Sequence, residues 1–195
     1  MTPSPAPQGF WLFETPIGLC GLAWGGKGLV GAQLPDPTPG ASWDRLRRRH
    51  PEAVETPPPA EIQQVIERIN DLLAGGRDDL ADVELDYDVV SPFHRRVYEI
   101  ARAVPPGETI TYGEIARAVG EPGAARAIGK AMGENPWPII VPCHRVLGAD
   151  GKPGGFSSPG GLQTKARMLT IERARTTDAP TLFDLEFSVA PLKRR

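Results

Sequence analysis

The sequence predicts an α+β fold in which a strand-rich first half precedes a helical second half. Short apolar segments separated by glycine turns fill residues 9–34, which indicates antiparallel strands. Apolar residues recur at helical spacing in residues 61–73, and residues 112–132 contain two short helical segments joined by a glycine turn. A chain of 195 residues is long enough to bury a sizeable core around these elements.

The strand signals come first along the chain. Residues 10–13, 19–24 and 29–32 are apolar, and glycine-containing turns separate them. This spacing is typical of short antiparallel strands. A further strand is predicted at residues 83–87, at the end of an acidic run, and we expect the first half to end near residue 90.

Three helices are predicted outside the helix-turn-helix. Residues 43–49 indicate a short basic helix that a His-Pro pair ends, and residues 61–73 indicate a longer helix that two glycines end. Ser91 is expected to cap a third helix, over residues 92–104, which a Pro-Pro-Gly sequence ends.

The helix-turn-helix occupies the middle of the second half. Thr111 is expected to cap a helix over residues 112–119, with Glu114 at the capping-box position, and a Gly-Glu-Pro-Gly turn leads into a second helix over residues 124–132. The second helix carries two long polar side chains among small ones: Arg126 and Lys130 beside Ala124, Ala125, Ala127, Gly129 and Ala131. Small side chains permit close approach to the minor groove, where one arginine can replace an extruded base. The same composition also suits close packing against another helix.

Charge is unevenly distributed along the chain. The formal net charge is −2, but residues 1–90 carry 7 basic and 14 acidic side chains, residues 91–175 carry 12 and 7, and residues 176–195 carry 3 of each. A basic second half suits the neutralisation of DNA phosphates. Such an imbalance also occurs in proteins with no nucleic-acid partner.

Composition argues against several classes of protein. The chain has no run of about 18 apolar residues and no basic, apolar leader, so we expect a soluble, cytoplasmic protein. Its two cysteines, Cys20 and Cys143, are too few for a disulfide framework, and no Cys-x-x-Cys pair is present for zinc. Cys143 is therefore expected to be a free thiol.

Cys143 lies in the sequence Pro-Cys-His-Arg-Val, directly after a predicted buried strand at residues 139–141. The thiolate is the nucleophilic form of cysteine, so nucleophilic catalysis requires a lowered thiol pKa. The neighbouring His144 needs a bridging water or a backbone bend to act as the base. Arg145 and a helix N-terminus are candidates for the positive potential that favours a thiolate.

Four motifs, which follow one another along the chain, resemble those of the O6-alkylguanine-DNA alkyltransferases. They are Gly-Glu-Thr-Ile-Thr-Tyr-Gly-Glu-Ile-Ala at residues 107–116, Ala-Ala-Arg-Ala-Ile-Gly at residues 124–129, Asn-Pro at residues 135–136, and the Pro-Cys-His-Arg-Val sequence at residues 142–146. The resemblance covers residues 91–173 well. Residues 9–90 match more loosely, mainly at Phe-Glu-Thr-Pro-Ile-Gly.

This resemblance implies two domains and a tail. A small, strand-rich, ribonuclease-H-like N-terminal domain would span residues 9–90, a winged-helix-like DNA-binding and alkyl-acceptor domain residues 91–175, and a tail residues 176–195. The implied function is direct-reversal DNA repair: the protein flips O6-alkylguanine, and also O4-alkylthymine, from the duplex and transfers the alkyl group irreversibly to Cys143 in a single turnover. It would act as a monomer on the minor groove, with no cofactor. No metal is expected, because the cysteine and histidine ligands of the family's zinc-binding members are not matched and Cys20 is alone in the first half.

The resemblance also implies a role for each catalytic residue. Cys143 would accept the alkyl group, and His144 would deprotonate it through a water while Glu172 orients the imidazole. Tyr112 would donate its hydroxyl proton to the departing purine, and Asn135 would brace the turn before the cysteine.

DNA contacts and a substrate pocket are implied in the same way. Arg126 would take the place of the extruded base, and further DNA contacts would come from Thr111, Ala125, Ala127, Gly129 and Lys130. The main-chain carbonyls of Cys143 and Val146 would read the guanine amino group. The alkyl pocket would be walled by Pro138, Phe156, Ser157 and Ser158. The Ser-Pro at residues 158–159 lengthens this loop relative to many family members, which leaves the preferred alkyl size open.

Three other functions fit parts of the sequence. An alkyltransferase-like protein that only binds lesions would lack the nucleophile, whereas this chain has Cys143. A winged-helix transcription regulator would normally carry base-reading side chains on its second helix. A cysteine hydrolase using Cys143 and His144 would turn over repeatedly, whereas a thioether has no acyl bond to hydrolyse.

The tail, residues 176–195, combines a polar, proline-containing start with several large apolar residues. Leu182 and Phe183 resemble the Leu-Phe peptides with which bacterial repair proteins bind the replication sliding clamp. Clamp docking is therefore one prediction for this segment, and packing back onto the domain is the other.

Overall fold

A four-stranded sheet, a two-stranded sheet and six α-helices make up residues 9–174, the part of the chain that the computed structural model describes. The predicted α+β class is confirmed. The predicted motif at Leu182 and Phe183 lies outside the described residues. In chain order the elements are β1 (Gly9–Thr15), β2 (Gly18–Gly25), β3 (Gly28–Gln33), α1 (Pro39–Arg49), β4 (Val54–Glu55), α2 (Ala60–Leu73), α3 (Pro92–Arg102), β5 (Ile110–Thr111), α4 (Tyr112–Ala118), α5 (Ala125–Gly133), β6 (Val146–Leu147) and α6 (Gly161–Ile171).

The larger sheet has the strand order β3-β2-β1-β4. Neighbours β1, β2 and β3 are antiparallel, as predicted, and the short β4 runs parallel to β1. Gly28 begins β3 at a φ of +117°, and a Cβ there would lie 2.5 Å from the carbonyl oxygen of Glu84. This position therefore requires glycine, since a side chain would push the following segment off the sheet.

The helices begin where their caps predict. Ser91 accepts a hydrogen bond from the amide of His94 at the start of α3, and Thr111 and Glu114 form the predicted capping box of α4. Helix α1 starts earlier than predicted because Thr38 caps it and Pro39 occupies its first turn, where no amide donor is needed.

The strand predicted at residues 83–87 is wrong. Only Leu85 pairs, in a single bridge to Leu29, whose amide donates to Glu84 and whose carbonyl accepts from Asp86, both at 2.9 Å. The Asp86 side chain then accepts from the amide of Asp88 and turns the chain into a short 3₁₀ helix. This local side-chain bond competes with continued strand pairing.

The prediction of a buried strand at residues 139–141 is also wrong: the segment is buried but does not form a strand. Residues 138–141 form a turn in which Ile139 has a φ of +81° and the amide of Val141 donates to the carbonyl of Trp137. Three prolines around this segment, at positions 136, 138 and 142, have no amide donors for a strand ladder. Cys143 therefore follows a turn and not a strand end.

One continuous apolar core extends across both halves of the chain. The fully buried indole of Trp137 donates to the carbonyl of Leu29 over 2.8 Å, and the amide of Ala32 donates to the carbonyl of Pro136 over 2.7 Å. These bonds attach β3 to the turn that precedes Cys143. Within residues 9–174, no helix has the length and apolar character needed to cross a membrane.

Candidate active site

Cys143 is the first residue of a 3₁₀ helix, Cys143–Arg145, and is 8% exposed at the wall of a cavity of about 200 Å³. Burial raises the pKa of its thiol. The Asn135 amide, the Lys165 ammonium and the backbone amides of Cys143 and His144 oppose that rise. The site therefore holds a protected thiol among groups that stabilise its ionised form.

His144, Arg145 and Glu172 form a buried cluster behind the thiol. Glu172 Oε1 lies 2.9 Å from His144 Nε2, and the guanidinium of Arg145 donates to both oxygens of Glu172 at 2.8 and 2.9 Å. A third guanidinium nitrogen of Arg145 donates to the carbonyl of Val104 over 2.6 Å. Arg145 thus neutralises Glu172, whereas the sequence had suggested that it acts on the thiol.

The charges of this cluster follow from its contacts. Burial alone would raise the pKa of Glu172, but the hydrogen bonds and charges of His144 and Arg145 outweigh burial and bring it to about 2. Burial lowers the pKa of His144 despite the opposing carboxylate. Near neutral pH the cluster therefore holds an ionised Glu172, a charged Arg145 and a neutral imidazole.

His144 has one nitrogen left for proton transfer. Nε2 is bonded to Glu172, and the buried Nδ1 has no hydrogen-bond partner among the described residues. An imidazole that donates from Nε2 to a carboxylate carries its free lone pair on Nδ1. That nitrogen is the available base.

Lys165 is a site residue that the sequence analysis missed. Its side chain is fully buried, and its ammonium donates to the carbonyl of Val146 over 2.6 Å. Burial lowers the pKa of Lys165 to about 8, while Cys143 acts in the opposite direction. The available sequence signal was helical spacing, because Lys165, in the middle of α6, and Glu172, which directly follows α6, are seven residues apart and close to the same face.

Asn135 braces the turn before the cysteine. Its amide group donates to the carbonyl of Val141 over 2.8 Å, and its side-chain oxygen accepts from the amide of Trp137 over 2.9 Å. These two bonds tie both ends of the turn to one side chain, an arrangement that fits the predicted position.

Tyr112, the first residue of α4, lines the same cavity as Cys143. Burial, with a smaller contribution from Cys143, raises the pKa of its phenol, so the hydroxyl keeps its proton at neutral pH. Gly154 lies directly against the ring: a Cβ there would be 2.8 Å from the Tyr112 hydroxyl oxygen and 2.7 Å from a ring carbon.

Helix α5 presents an exposed face next to the cavity. Ala125, Arg126 and Ala127 are exposed, and Arg126 makes no hydrogen bond or ion pair with any described residue. Gly129 is half-buried and lines the cavity. Lys130 is exposed, 3.7 Å from Glu134, and the half-buried Thr111 is engaged with Glu114.

The predicted pocket residues divide into two groups. Pro138, Phe156, Ser157 and Ser158 line the cavity, and the Ser157 hydroxyl donates to the carbonyl of Gly133 over 3.0 Å. Val146 is fully buried and does not line it.

The first half of the chain supplies a further wall that the sequence analysis did not predict. Gln33, Leu34, Arg45 and Arg49 line the same cavity as Cys143. The contact arises from the pairing of β3 with the turn at Pro136, which is not visible in local sequence.

Comparison with known proteins identifies similar sequences over both halves. Residues 92–174 match a family model described as "6-O-methylguanine DNA methyltransferase, DNA binding domain". The chain is 40% identical over 171 residues to a Mycobacterium tuberculosis protein named methylated-DNA–protein-cysteine methyltransferase, covering 88% of this chain and 96% of that protein. It is 48% identical over 82 residues to the Salmonella typhimurium protein of the same name, covering 42% and 47%.

Solved structures of similarly named proteins resemble this chain over most of its length. The crystal structure of Mycobacterium tuberculosis OGT in complex with DNA is 37% identical, with a TM-score of 0.66 over 86% of this chain and 95% of that chain. The O6-methylguanine-DNA methyltransferase of Pyrococcus kodakaraensis is 27% identical, with a TM-score of 0.64 over 84% and 98%.

Proposed function

Because the chain belongs to the methylated-DNA–protein-cysteine methyltransferase family, we propose that it repairs O6-alkylguanine in DNA by moving the alkyl group to Cys143. The observation that carries this proposal is the buried thiol at a cavity wall, with the His144–Glu172 pair behind it. A cavity at the thiol lets the reacting base replace water around the thiolate, and the fixed polar groups then stabilise charge without reorganisation.

The transfer proceeds by displacement at carbon. His144 Nδ1 takes the thiol proton through a water molecule, Glu172 stabilises the imidazolium, and Sγ forms a bond to the alkyl carbon. The bond from that carbon to guanine O6 breaks, and its electron pair leaves with the purine. Tyr112 donates its hydroxyl proton to the departing purine anion.

Each alkyl transfer consumes one protein molecule. The product on Cys143 is a thioether, which has no hydrolysable acyl bond, so the protein reacts once. The same chemistry extends to O4-alkylthymine, in which the alkyl group is also carried by an oxygen of the base ring.

DNA enters through the face of α5. Arg126 is exposed and has no partner within residues 9–174, so it can fill the space of an extruded base, and the small side chains of Ala125, Ala127 and Gly129 permit approach to the minor groove. Thr111 and Lys130 flank this face and contribute DNA contacts. We propose that the protein acts as a monomer, because Cys143, its cavity and the α5 face all belong to one chain.

We propose that the two halves of the chain form domains with different folds. Residues 9–90 form a ribonuclease-H-like domain, and residues 91–175 form a winged-helix-like domain. The order of elements supports this division, because the larger sheet uses strands from the first half and the helix-turn-helix lies in the second.

A lesion-binding protein without transfer chemistry is the main alternative. The presence of Cys143 beside a buried histidine argues against it, and the small residues of α5 argue against a sequence-reading regulator.

Intact mass measurement tests the proposed function. After incubation with an O6-methylguanine duplex, each chain should gain one methyl group, and peptide mapping should place it on Cys143. Cys20 is an internal control, because burial raises its pKa to about 12 and it is 1% exposed. An unchanged mass, or a methyl group on Cys20, would contradict the proposal.

A further inference from the structure

The cavity beside Cys143 is lined by residues from both halves of the chain. Tyr112 and Gly129 come from α4 and α5, whose exposed face is the proposed route for DNA. Arg45 and Arg49, both from α1, line the same cavity together with Gln33 and Leu34, and these four residues form its α1 side. A base bound with its O6 atom at Cys143 places the O6 substituent in the cavity that the α1 side helps to line.

The α1 side carries more positive charge than its partners neutralise. Arg45 pairs with Asp36, whose Oδ2 lies 2.9 Å from Nε, and donates to the carbonyl of Leu34 over 2.7 Å. Arg49 has no hydrogen bond or ion pair with any described residue. Burial and the charge of Arg45 both lower the pKa of Arg49, so the two guanidiniums repel each other.

The cavity lining also includes the carboxylate of Glu134, which follows α5 and already has partners. Glu134 lies 3.0 Å from His94 Nε2 and 3.7 Å from the ammonium of Lys130. The α1 side is therefore a place where an added carboxylate would gain a guanidinium partner.

We propose that Arg49, assisted by Arg45, forms a subsite for O6 substituents that end in a carboxylate, so that O6-carboxymethylguanine is a favoured substrate. This inference rests on the proposed function. Sγ forms a bond to the methylene carbon, the bond from that carbon to O6 breaks, and guanine leaves with the electron pair and takes a proton. The product is S-carboxymethylcysteine at position 143, whose carboxylate remains beside Arg49.

The test compares three duplexes that differ only at the O6 substituent: methyl, carboxymethyl and the neutral, nearly isosteric carbamoylmethyl. For each protein the carboxymethyl rate is divided by the carbamoylmethyl rate, because the two substituents also differ in intrinsic reactivity towards a thiolate. Arg49→Met should lower this ratio about fivefold, the factor expected for a partly exposed ion pair, with a smaller effect on the methyl and carbamoylmethyl rates. Arg49→Lys should keep most of the wild-type ratio because it keeps the charge.

Arg48→Met is the matched control, since Arg48 lies on the same helix but does not line this cavity. The proposal fails if Arg49→Met leaves the ratio of the carboxymethyl rate to the carbamoylmethyl rate unchanged. It also fails if Arg49→Met slows all three duplexes equally and weakens duplex binding, because Arg49 would then hold a backbone phosphate. Absence of methyl transfer by wild-type protein would contradict the proposed function itself.

Discussion

Glu172 Oε1 lies 2.9 Å from His144 Nε2, which leaves Nδ1 as the imidazole nitrogen without a partner among the described residues. The carboxylate therefore sets both the orientation and the tautomer of the ring. Its two bonds from Arg145 keep it ionised in a buried site.

Glu172→Gln should slow methyl transfer about a hundredfold, since an amide neither fixes the tautomer nor stabilises an imidazolium. It should also cost about 3 kcal/mol of stability, because Arg145 loses a buried anionic partner. Single-turnover rates and denaturant unfolding measure the two effects. An unchanged rate would remove Glu172 from the mechanism.

The same substitution should change acid unfolding in a defined window. The pKa of Glu172 is about 2 in the folded protein and 4.5 ordinarily, so its contribution to stability is present above pH 4.5 and is lost as the pH falls towards 2. Glu172→Gln should lack this part of the pH dependence. Equal slopes for both proteins between pH 4.5 and 2 would contradict the assignment.

Lys165→Met should raise the pKa of the Cys143 thiol further, because Lys165 is one of the groups that lower it. At neutral pH the rate of alkylation by iodoacetamide should fall about five- to tenfold. The variant keeps the length of the buried side chain but not its charge. Lys152→Met, in an exposed loop, is the control and should leave the thiol titration unchanged.

Gly154→Ala should slow transfer about tenfold, because the new Cβ would collide with the Tyr112 ring and move the hydroxyl that protonates the purine. Gly155→Ala is a closely matched control: a Cβ there has no heavy atom within 4 Å. Rates with duplex substrate measure both variants. Equal losses in the two would show that the loop, and not the position of Tyr112, controls transfer.

Arg126→Ala should slow transfer from duplex DNA at least tenfold and leave the reaction with free O6-benzylguanine nearly unchanged, since only a duplex needs a replacement for the extruded base. Arg117→Ala, an exposed arginine on α4, corrects for the loss of one positive charge. Parallel slowing of both substrates by Arg126→Ala would contradict this role.

Cys143→Ala should abolish transfer and retain binding to O6-methylguanine duplex, because affinity comes from phosphate contacts and the flipped base. Fluorescence anisotropy at several salt concentrations measures binding. We expect affinity to fall steeply with salt and to depend little on the sequence around the lesion. Loss of binding together with transfer would show that the thiol itself holds the base.

Local signals predicted the helix caps, because Ser91, Thr111 and Glu114 act on amides within three residues. The prediction of a strand at residues 83–87 was wrong because the Asp86 side chain accepts from the amide of Asp88, which apolar composition does not reveal. The prediction at residues 139–141 was wrong because the prolines at positions 136, 138 and 142 lack amide donors and the Asn135 side chain bonds the carbonyl of Val141.

In the candidate site, the residues within the motif were predicted from the sequence, and some residues that are distant from it in the chain were missed. The motif identified Cys143 and His144, which are adjacent in sequence. Arg49 of α1 lines the cavity and Lys165 of α6 donates to the carbonyl of Val146, and only long-range packing brings these two residues to the site.

The hydrogen bond from the Trp137 indole to the carbonyl of Leu29 joins residues 108 positions apart. If the first half were removed, the indole donor and the carbonyl of Pro136 would both lose their partners, and one side of the shared core would face water. Removal of the first half should therefore lower the stability of the second, and a proteolytic fragment containing only the helix-turn-helix and Cys143 should unfold more readily than the full chain.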